Sequence, residues 1–419
     1  MIRIGVMKNN PYQFSRRLFL TQTLALLAGC RSLSHLPPLP FGDRQADTQR
    51  PLLEFDGTVA DIQTTADWRF MAVRVQNRLS GAAEMKETAS PEQNRTFLYN
   101  IEFQTPIPCP EYKIEEIEDP VSFAFAPKKD VCYVVQGASS GNPAPYGRIT
   151  LDRFELARKK KDSNNAPTFH LEDESWIDAF LSPAADWLAA RYKDGHWEFR
   201  DLTADPVKEV CFPETYESKS GSHQAGISRV LAFSPDGMLA AALMNPSAEN
   251  GGGQYQTITI WDISTAHAIP PEKAKKLPLE ALFVSEFHIR DNAAGKVCAF
   301  SPDGKMIAVR NKQKYVGIWQ TASGKILAEF GEHRQPVTVL RFTPNNTKLI
   351  VGTGENRGRL ILWDVRKGRL LRTYDDPEKS SRRITAIQVS PDGNLVYFGN
   401  DRGEVGQWEY QSKSETKKS

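Results

Sequence analysis

The sequence lacks the short motifs on which many metal proteins and nucleotide-binding enzymes depend. Its 419 residues include five cysteines without a Cys-x-x-Cys pair, and seven histidines without a His-Glu-x-x-His segment. Clustered thiolate or imidazole ligands for zinc, copper or iron are therefore not indicated. A Gly-x-x-x-x-Gly-Lys phosphate-binding loop is also absent. The sequence thus predicts no catalytic residue, no metal site and no cofactor.

The chain has little excess charge and no apolar run long enough to span a membrane. Lysine and arginine number 53 against 51 acidic residues, a net charge of +2. Removal of residues 1–29, which hold four basic residues and no acidic one, would change this to −2. Such a protein has no general basic field, so nucleic acid is not a predicted partner. The apolar stretch at 18–29 is shorter than the roughly 20 residues that span a bilayer.

Two short motifs occupy the first 30 residues. Residues 15–20 read Ser-Arg-Arg-Leu-Phe-Leu, and an apolar run then ends in Leu-Ala-Gly-Cys at 27–30. The first element resembles twin-arginine translocation signals, with the matching residues Arg16, Arg17, Phe19 and Leu20. The second resembles the lipobox of bacterial lipoproteins, in which the thiol of Cys30 accepts a diacylglyceryl group. The resemblance implies a signal peptide at 1–29 and a lipid anchor at the periplasmic side of a bacterial membrane.

Other interpretations of this segment remain open. The paired arginines could precede an ordinary buried helix by chance, and a eukaryotic source would remove most of the argument for export. The protein would then be a cytosolic scaffold that keeps its first 30 residues. Residues 30–50 contain three prolines and no hydrophobic periodicity, which predicts a semi-extended tether. Beyond Cys30, the four remaining cysteines could form disulfides in three pairings or could be small buried residues; they are Cys109, Cys132, Cys211 and Cys298.

A repeated turn organises the rest of the chain. Ser-Pro-Asp-Gly lies between short runs rich in Val, Ile, Leu and Ala, and a looser Thr-Pro-Asn-Asn copy follows Phe342. Proline presets φ, aspartate bonds local backbone and glycine accepts a positive φ, so each copy predicts a hairpin turn. Weaker copies centre on residues 66, 127 and 183, which gives seven units at steps of 42 to 67 residues. The turn residues assigned a structural role are Asp236, Gly237, Asp303, Gly304, Asp392 and Gly393.

A tryptophan closes a strand after most of these turns, often followed by an aspartate. The residues are Trp261, Asp262, Trp319, Trp363, Asp364 and Trp408. With the turns, they resemble WD-repeat β-propeller proteins over about residues 50–410, most closely after Gly226. The resemblance implies an all-β, seven-bladed β-propeller at 51–410, in which these tryptophans and aspartates are structural, followed by a polar tail at 411–419. Only residues 331–333 approach the Gly-His pair of the family, so its side-chain network is expected to be incomplete.

The start of the domain is expected to complete the last unit. After Trp408 the chain offers only a polar tail, so the seventh unit lacks an outer strand. Residues 51–57 resemble the outer strands at 325–331 and 369–374. Pairing of these two ends would close the ring and would remove exposed sheet edges.

Insertions in the repeats suggest where a partner binds. Residues 78–95, 137–148 and 245–256 extend the connection between second and third strands, and 212–226 forms a long link. In a propeller these segments share one face, where binding is usual, although surface insertions are also well tolerated. We therefore expect an exported, lipid-anchored, monomeric scaffold that binds an unidentified protein. A periplasmic hydrolase or lyase with a site near the central channel is the alternative, since propellers host both.

Overall fold

The computed structural model describes the chain in segments between residues 51 and 410. These are 51–65, 67–76, 95–101, 105–106, 120–125, 131–139, 146–155, 169–171, 176–192, 194–203, 208–212, 215–217, 223–225, 227–244, 256–268, 273, 281–290, 297–312, 314–331, 333, 335–354, 358–375 and 382–410. The predicted signal peptide, tether and polar tail therefore lie outside the described residues.

The described residues form 30 strands and one 3₁₀ helix at Ile263–Ala268. The strands of the first half are β1 Leu53–Glu54, β2 Thr58–Thr64, β3 Phe70–Gln76, β4 Arg95–Asn100, β5 Thr105–Pro106, β6 Pro120–Phe125, β7 Val131–Ser139, β8 Tyr146–Glu155, β9 Phe169–Leu171, β10 Trp176–Leu181, β11 Trp187–Tyr192, β12 Trp197–Asp201, β13 Lys208–Phe212, β14 Thr215–Glu217 and β15 His223–Ala225. Those of the second half are β16 Ile227–Phe233, β17 Leu239–Met244, β18 Gln256–Asp262, β19 Phe283–Ile289, β20 Cys298–Phe300, β21 Met306–Arg310, β22 Val316–Gln320, β23 Ile326–Phe330, β24 Val337–Phe342, β25 Lys348–Thr353, β26 Arg359–Asp364, β27 Arg369–Asp375, β28 Ile384–Val389, β29 Leu395–Asn400 and β30 Glu404–Glu409.

Within the described residues these strands make seven four-stranded antiparallel sheets and one two-stranded sheet, β14–β15. Sheets one to six each take four consecutive strands: β2–β5, β6–β9, β10–β13, β16–β19, β20–β23 and β24–β27. Sheet seven has the order β28-β29-β30-β1, so the first strand of the chain is its outer strand. Leu53 pairs with Val405 and Glu54 with Glu404. The expected propeller fold and its closure by the N-terminal strand are confirmed.

Neighbouring sheets pack face to face through apolar clusters. Their first strands are adjacent, and β28 contacts both β24 of sheet six and β2 of sheet one. The second strands are buried on both faces, so they are continuous apolar runs: β17 reads LAAALM, and β25 reads KLIVGT. Strands buried on one face only would alternate apolar and polar residues instead. Packing on both sides therefore explains the sequence of the second strands.

The repeated turns have one geometry, including the degenerate copies. In the Ser-Pro-Asp-Gly turns the glycine N–H donates to the serine carbonyl, and the glycine φ lies between 69° and 73°. In the weaker copies the same place is taken by Trp68, Ala185 and Asn346, with φ of 60°, 55° and 60°. Non-glycine residues adopt this left-handed conformation rarely. The shared geometry therefore shows that the described weak copies belong to the same repeat, whereas the copy predicted around residue 127 lies outside the described residues.

The structure corrects two of the loop boundaries. The two ends of the predicted loop at 137–148 are strand, because β7 and β8 continue their pairing from Gly137 opposite Ile149 to Ser139 opposite Tyr146, and residues 140–145 lie outside the described residues. The predicted link at 212–226 contains the hairpin β14–β15, in which Tyr216 pairs with Gln224. In the first of these segments backbone pairing continues through Gly137 and Ala138, which have weak strand propensity. The insertions at 77–94 and 245–255 lie outside the described residues.

Candidate binding face

The topology divides the turns between two faces. The Ser-Pro-Asp-Gly turns and the turns between third and fourth strands lie at one end of the strands. At the other end lie the turns between second and third strands and the links that enter the next sheet, because strand direction alternates. We call this second end the link face. Its described segments include residues 194–196, 311–312, 314–315, 335–336, 382–383 and 401–403.

Four exposed basic side chains lie on the link face of sheets five and seven, the two sheets that flank sheet six. Lys312 and Lys314 lie in the β21–β22 turn, Arg383 in the link before β28, and Arg402 in the β29–β30 turn, and all four are exposed. We call these four residues the basic cluster. They belong to three separate connections, so they do not form a run of charged residues in the sequence.

Backbone contacts hold the segments that carry the basic cluster. The Arg383 N–H donates to Asp401 Oδ1 at 3.0 Å, and the Asp401 N–H donates to the Arg383 carbonyl at 3.1 Å. Beside them, Arg382 Nη1 lies 2.8 Å from Glu404 Oε2. Gly358 packs so closely on this link that an added Cβ would lie 2.0 Å from the Arg382 carbonyl oxygen. The cluster is thus presented on a fixed backbone, which lowers the ordering cost of binding.

The first strands of sheets six, seven and one are joined by polar side chains. Arg341 on β24 donates to Gln388 Oε1 on β28 at 2.8 Å, and Gln388 donates to Thr64 Oγ1 on β2 at 2.9 Å. Burial lowers the pKa of Arg341, and the charge of Asp61 opposes this effect. These bonds tie the sheets together across the point where the ring closes.

The shifted carboxyl groups do not lie on the first strands. Among the described residues they are Asp67, Asp194, Asp303 and Asp392, all in turns. Partial burial acts to raise each pKa, but hydrogen bonds from nearby side chains and backbone together outweigh it, so each pKa is lowered. A catalytic acid would instead need a raised pKa. These groups therefore give no support to the enzyme alternative.

The tryptophans of the repeats lie between sheets. Trp319 stacks on Phe287 of sheet four at 4.6 Å between ring centroids, and Trp363 stacks on Phe330 of sheet five at 5.1 Å. Trp261 is 1% exposed within the cluster shared by sheets three and four, and Trp408 lies 5.9 Å from Tyr374 of sheet six. Each tryptophan thus packs against the preceding sheet.

The aspartates of the repeats accept local hydrogen bonds. Asp262 Oδ1 accepts from the N–H and Oγ of Ser264, and Asp364 Oδ1 accepts from the Lys367 N–H. In the turns, Asp303 Oδ1 accepts from the Ser301 hydroxyl at 2.6 Å. The equivalent oxygens of Asp236 and Asp392 accept from their own serines.

His333 is buried beside Trp363, with 5.5 Å between the ring centroids. Among the described residues, neither His333 Nε2 nor Trp363 Nε1 has a hydrogen-bond partner. Burial lowers the pKa of His333 to about 4, so the imidazole is neutral at physiological pH. The polar network around this pair is therefore incomplete within the described part of the chain.

The remaining sequence-based site residues lie elsewhere. Cys30, Arg16, Arg17, Phe19 and Leu20 fall outside the described residues. In the described part of the chain, no helix combines the length and apolar character needed to cross a lipid bilayer.

The structure brings together one further group that the sequence analysis missed: His196, Glu198 and Cys211, whose ligand atoms lie within 4.8 Å of one another.

Sheet topology and structural neighbours define the fold of this protein as a β-propeller. Residues 324–364 match the WD40 family, described as WD domain, G-beta repeat. Sqt1 of Chaetomium thermophilum, solved bound to the N-terminus of ribosomal protein L10, is similar in structure with a TM-score of 0.54. That similarity covers 85% of this chain and 86% of Sqt1 at 17% sequence identity, so it concerns the fold alone.

Sequence relatives match over shorter regions. The periodic tryptophan protein 2 homolog of Dictyostelium discoideum is 32% identical over 111 residues, which are 26% of this chain and 12% of that protein. The target of rapamycin complex subunit wat1 of Schizosaccharomyces pombe is 25% identical over 178 residues, 42% of this chain and 48% of wat1. This chain therefore covers half or less of the length of these relatives.

Proposed function

We propose that this chain is a non-enzymatic scaffold that binds a protein partner through the link face. The basic cluster carries the proposal, because it places four exposed positive charges on a backbone fixed by close packing. Such a surface suits a partner with acidic side chains, and complementary charge steers association. Sqt1 has a similar fold and was solved with a ribosomal protein segment, while wat1 is named as a subunit of a complex. Both precedents support binding of protein.

Charge reversal on opposite faces tests this proposal. One variant of the full chain combines Lys312→Glu, Lys314→Glu, Arg383→Glu and Arg402→Glu. The matched control reverses four exposed basic residues at the opposite end of the same region: Lys305, Lys325, Arg366 and Lys367. Both change the net charge by the same amount. Affinity capture from solubilised membranes should yield at least tenfold less of a specific partner with the link-face variant than with the control. Equal recovery with both variants would contradict the proposal.

We further propose that the scaffold is exported by the twin-arginine route and anchored through Cys30. The motif at residues 15–20 and the lipobox-like cysteine support this proposal. In a bacterial host, the wild-type protein should fractionate with membranes and begin at Cys30. Cys30→Ala should lose the lipid, and the pair Arg16→Lys and Arg17→Lys should keep the protein in the cytoplasm. A wild-type protein that still begins at Met1 and washes off membranes would contradict the anchor.

A further inference from the structure

The outer half of sheet three carries a polar group of side chains on the face toward sheet two. Glu198 on β12 is paired with Cys211 on β13, so both side chains point to the same face of the sheet. His196 lies in the turn that leads into β12. The Nε2 atom of His196 lies 3.8 Å from Glu198 Oε1, and the Cys211 sulfur lies within 4.8 Å of the other two ligand atoms. Three different donor types, N, O and S, thus converge.

Surrounding groups orient the imidazole. Asp194 Oδ1 lies 2.5 Å from His196 Nδ1, and the ring of Tyr192 stacks on the imidazole at 4.2 Å. A carboxylate on one ring nitrogen fixes the tautomer that presents the other nitrogen as a ligand. Nε2 is the atom that faces Glu198. The arrangement therefore has the orienting carboxylate that metal-binding histidines usually have.

The carboxylate of Glu198 is held as well. Tyr192 donates to its Oε2 at 2.7 Å, and Arg200 donates to the same oxygen from Nη2 at 2.9 Å and from Nε at 3.1 Å. These bonds turn Oε1 toward the imidazole. Arg200 also pairs with Glu209 at 3.4 Å. Among the described groups, the three carboxylates and one guanidinium leave two negative charges, and the thiolate formed on binding adds a third, so the site attracts a divalent cation.

We propose that His196, Glu198 and Cys211 form a zinc site, with water as the fourth ligand. Imidazole, carboxylate and thiolate are ligands of Zn²⁺, and catalytic-type sites combine three protein ligands with water. With metal–ligand distances of about 2.0–2.3 Å, tetrahedral ligand atoms lie roughly 3.4–3.6 Å apart. The His196 and Glu198 atoms, 3.8 Å apart, are close to this spacing, whereas the Cys211 sulfur, within 4.8 Å of both, needs to approach by up to roughly 1.2–1.4 Å. On binding, the Cys211 thiol gives its proton to solvent and its sulfur bonds to the metal.

Cobalt titration tests the site, because Co²⁺ is a spectroscopic substitute for Zn²⁺. The full chain, stripped with a chelator and kept reduced, should bind one equivalent of Co²⁺ with thiolate-to-metal absorption in the near ultraviolet. One equivalent of Zn²⁺ should abolish the band, whereas excess Mg²⁺ should not. Cys211→Ser should remove the band, and Asp194→Asn should weaken binding by about 10- to 100-fold. The controls Cys298→Ala and His288→Gln, in sheets five and four, should bind like the wild type.

Two results of the metal titration would overturn the zinc site. One is a wild-type protein that binds neither Co²⁺ nor Zn²⁺ at one equivalent. The other is a cobalt band that persists in Cys211→Ser, since another thiol would then supply it. A second measurement avoids dependence on the folding of variants. In the wild-type protein, Zn²⁺ should slow alkylation of Cys211 by iodoacetamide at least tenfold, as read by peptide mass mapping. Unchanged alkylation of Cys211 would reject the site.

Discussion

Substitution of Leu53 by alanine tests whether the N-terminal strand stabilises the ring. Leu53 is 9% exposed and packs in a cluster with Val59, Tyr397 and Val405, which joins sheets seven and one. A buried Leu→Ala change costs about 2–5 kcal/mol, and an outer strand can relax around the cavity. We therefore expect Leu53→Ala to lower the free energy of unfolding by about 2–3 kcal/mol. Urea unfolding followed by tryptophan fluorescence measures the change.

Leu370 provides a matched control for this prediction. It also lies on an outer strand, β27, but is 51% exposed. Leu370→Ala should change stability by no more than about 0.5 kcal/mol. If both variants unfold at the same urea concentration as the wild type, Leu53 contributes nothing and the closure argument fails.

Gly403→Ala, alone and combined with Leu53→Ala, tests whether the stability contributed by Leu53 depends on the docking of β1. The Phe55 N–H donates to the Gly403 carbonyl at 2.8 Å, and an added Cβ on Gly403 would lie 1.9 Å from the Phe55 carbonyl oxygen. Gly403→Ala should therefore displace β1, and its φ of +83° adds strain. Once β1 is displaced, Leu53 is no longer packed. The double variant should be more stable than the sum of the two single losses predicts, by at least about 0.5 kcal/mol. Strict additivity would place the two effects in independent regions.

Three further predictions concern single residues. Gly317→Ala places a Cβ 2.2 Å from the Trp319 ring, so we expect a loss of about 1–3 kcal/mol and a changed near-ultraviolet circular dichroism spectrum; a wild-type spectrum and stability would refute this. Ser301→Ala removes the acceptor of the Met306 N–H and the donor to Asp303, so it should lower the free energy of unfolding by about 1 kcal/mol. The control Ser323→Ala, in an exposed turn, should lower it by less than half as much in the same urea assay. Burial lowers the pKa of His333 to about 4 in the folded protein. Between pH 6.5 and 4 the imidazole is therefore protonated in the unfolded chain but neutral in the folded one. Proton binding by the unfolded chain lowers the free energy of unfolding by about 3 kcal/mol as the pH falls through this window. His333→Gln should lack this part of the acid dependence; equal pH dependence of unfolding in both proteins would contradict the assignment.

Local turn chemistry explains why the fold could be predicted from sequence. In the six repeats whose turn is described, the first two strands are joined by a turn whose serine or threonine hydroxyl accepts the N–H five residues later, as Ser301 and Thr343 do. In five of them an aspartate or asparagine two residues after the hydroxyl completes the turn, and after Ser182 the carboxylate is that of Asp186. These contacts lie within six residues, so a pattern read along one chain detects them even where glycine is replaced. The closing strand was predictable for a similar reason, since Leu52 and Leu53 repeat the outer-strand pattern.

Loop boundaries and sites depend on contacts that no local pattern records. Residues 137–139 are strand because β8 offers them backbone partners, although glycine and serine are weak strand formers. The basic cluster draws on three connections, one in sheet five and two that meet beside sheet seven. His196 and Cys211 lie 15 positions apart with no motif between them, and only the pairing of β12 with β13 brings their side chains together. Such assemblies become visible only when strand register is known.

The departure of sheet three from the tryptophan pattern accounts for its polar cluster. Trp261 lies opposite Ala240 on the neighbouring strand, and by the same register Arg200 lies opposite Leu188. Arg200 therefore occupies the place where later repeats have a tryptophan packed against the preceding sheet. A guanidinium in that place must be paired, because an unpaired buried charge is costly. Glu198 and Glu209 supply the pairing carboxylates. Replacement of one aromatic residue by arginine thus explains why carboxylates gather on this face, beside the imidazole and thiol with which Glu198 can bind a cation.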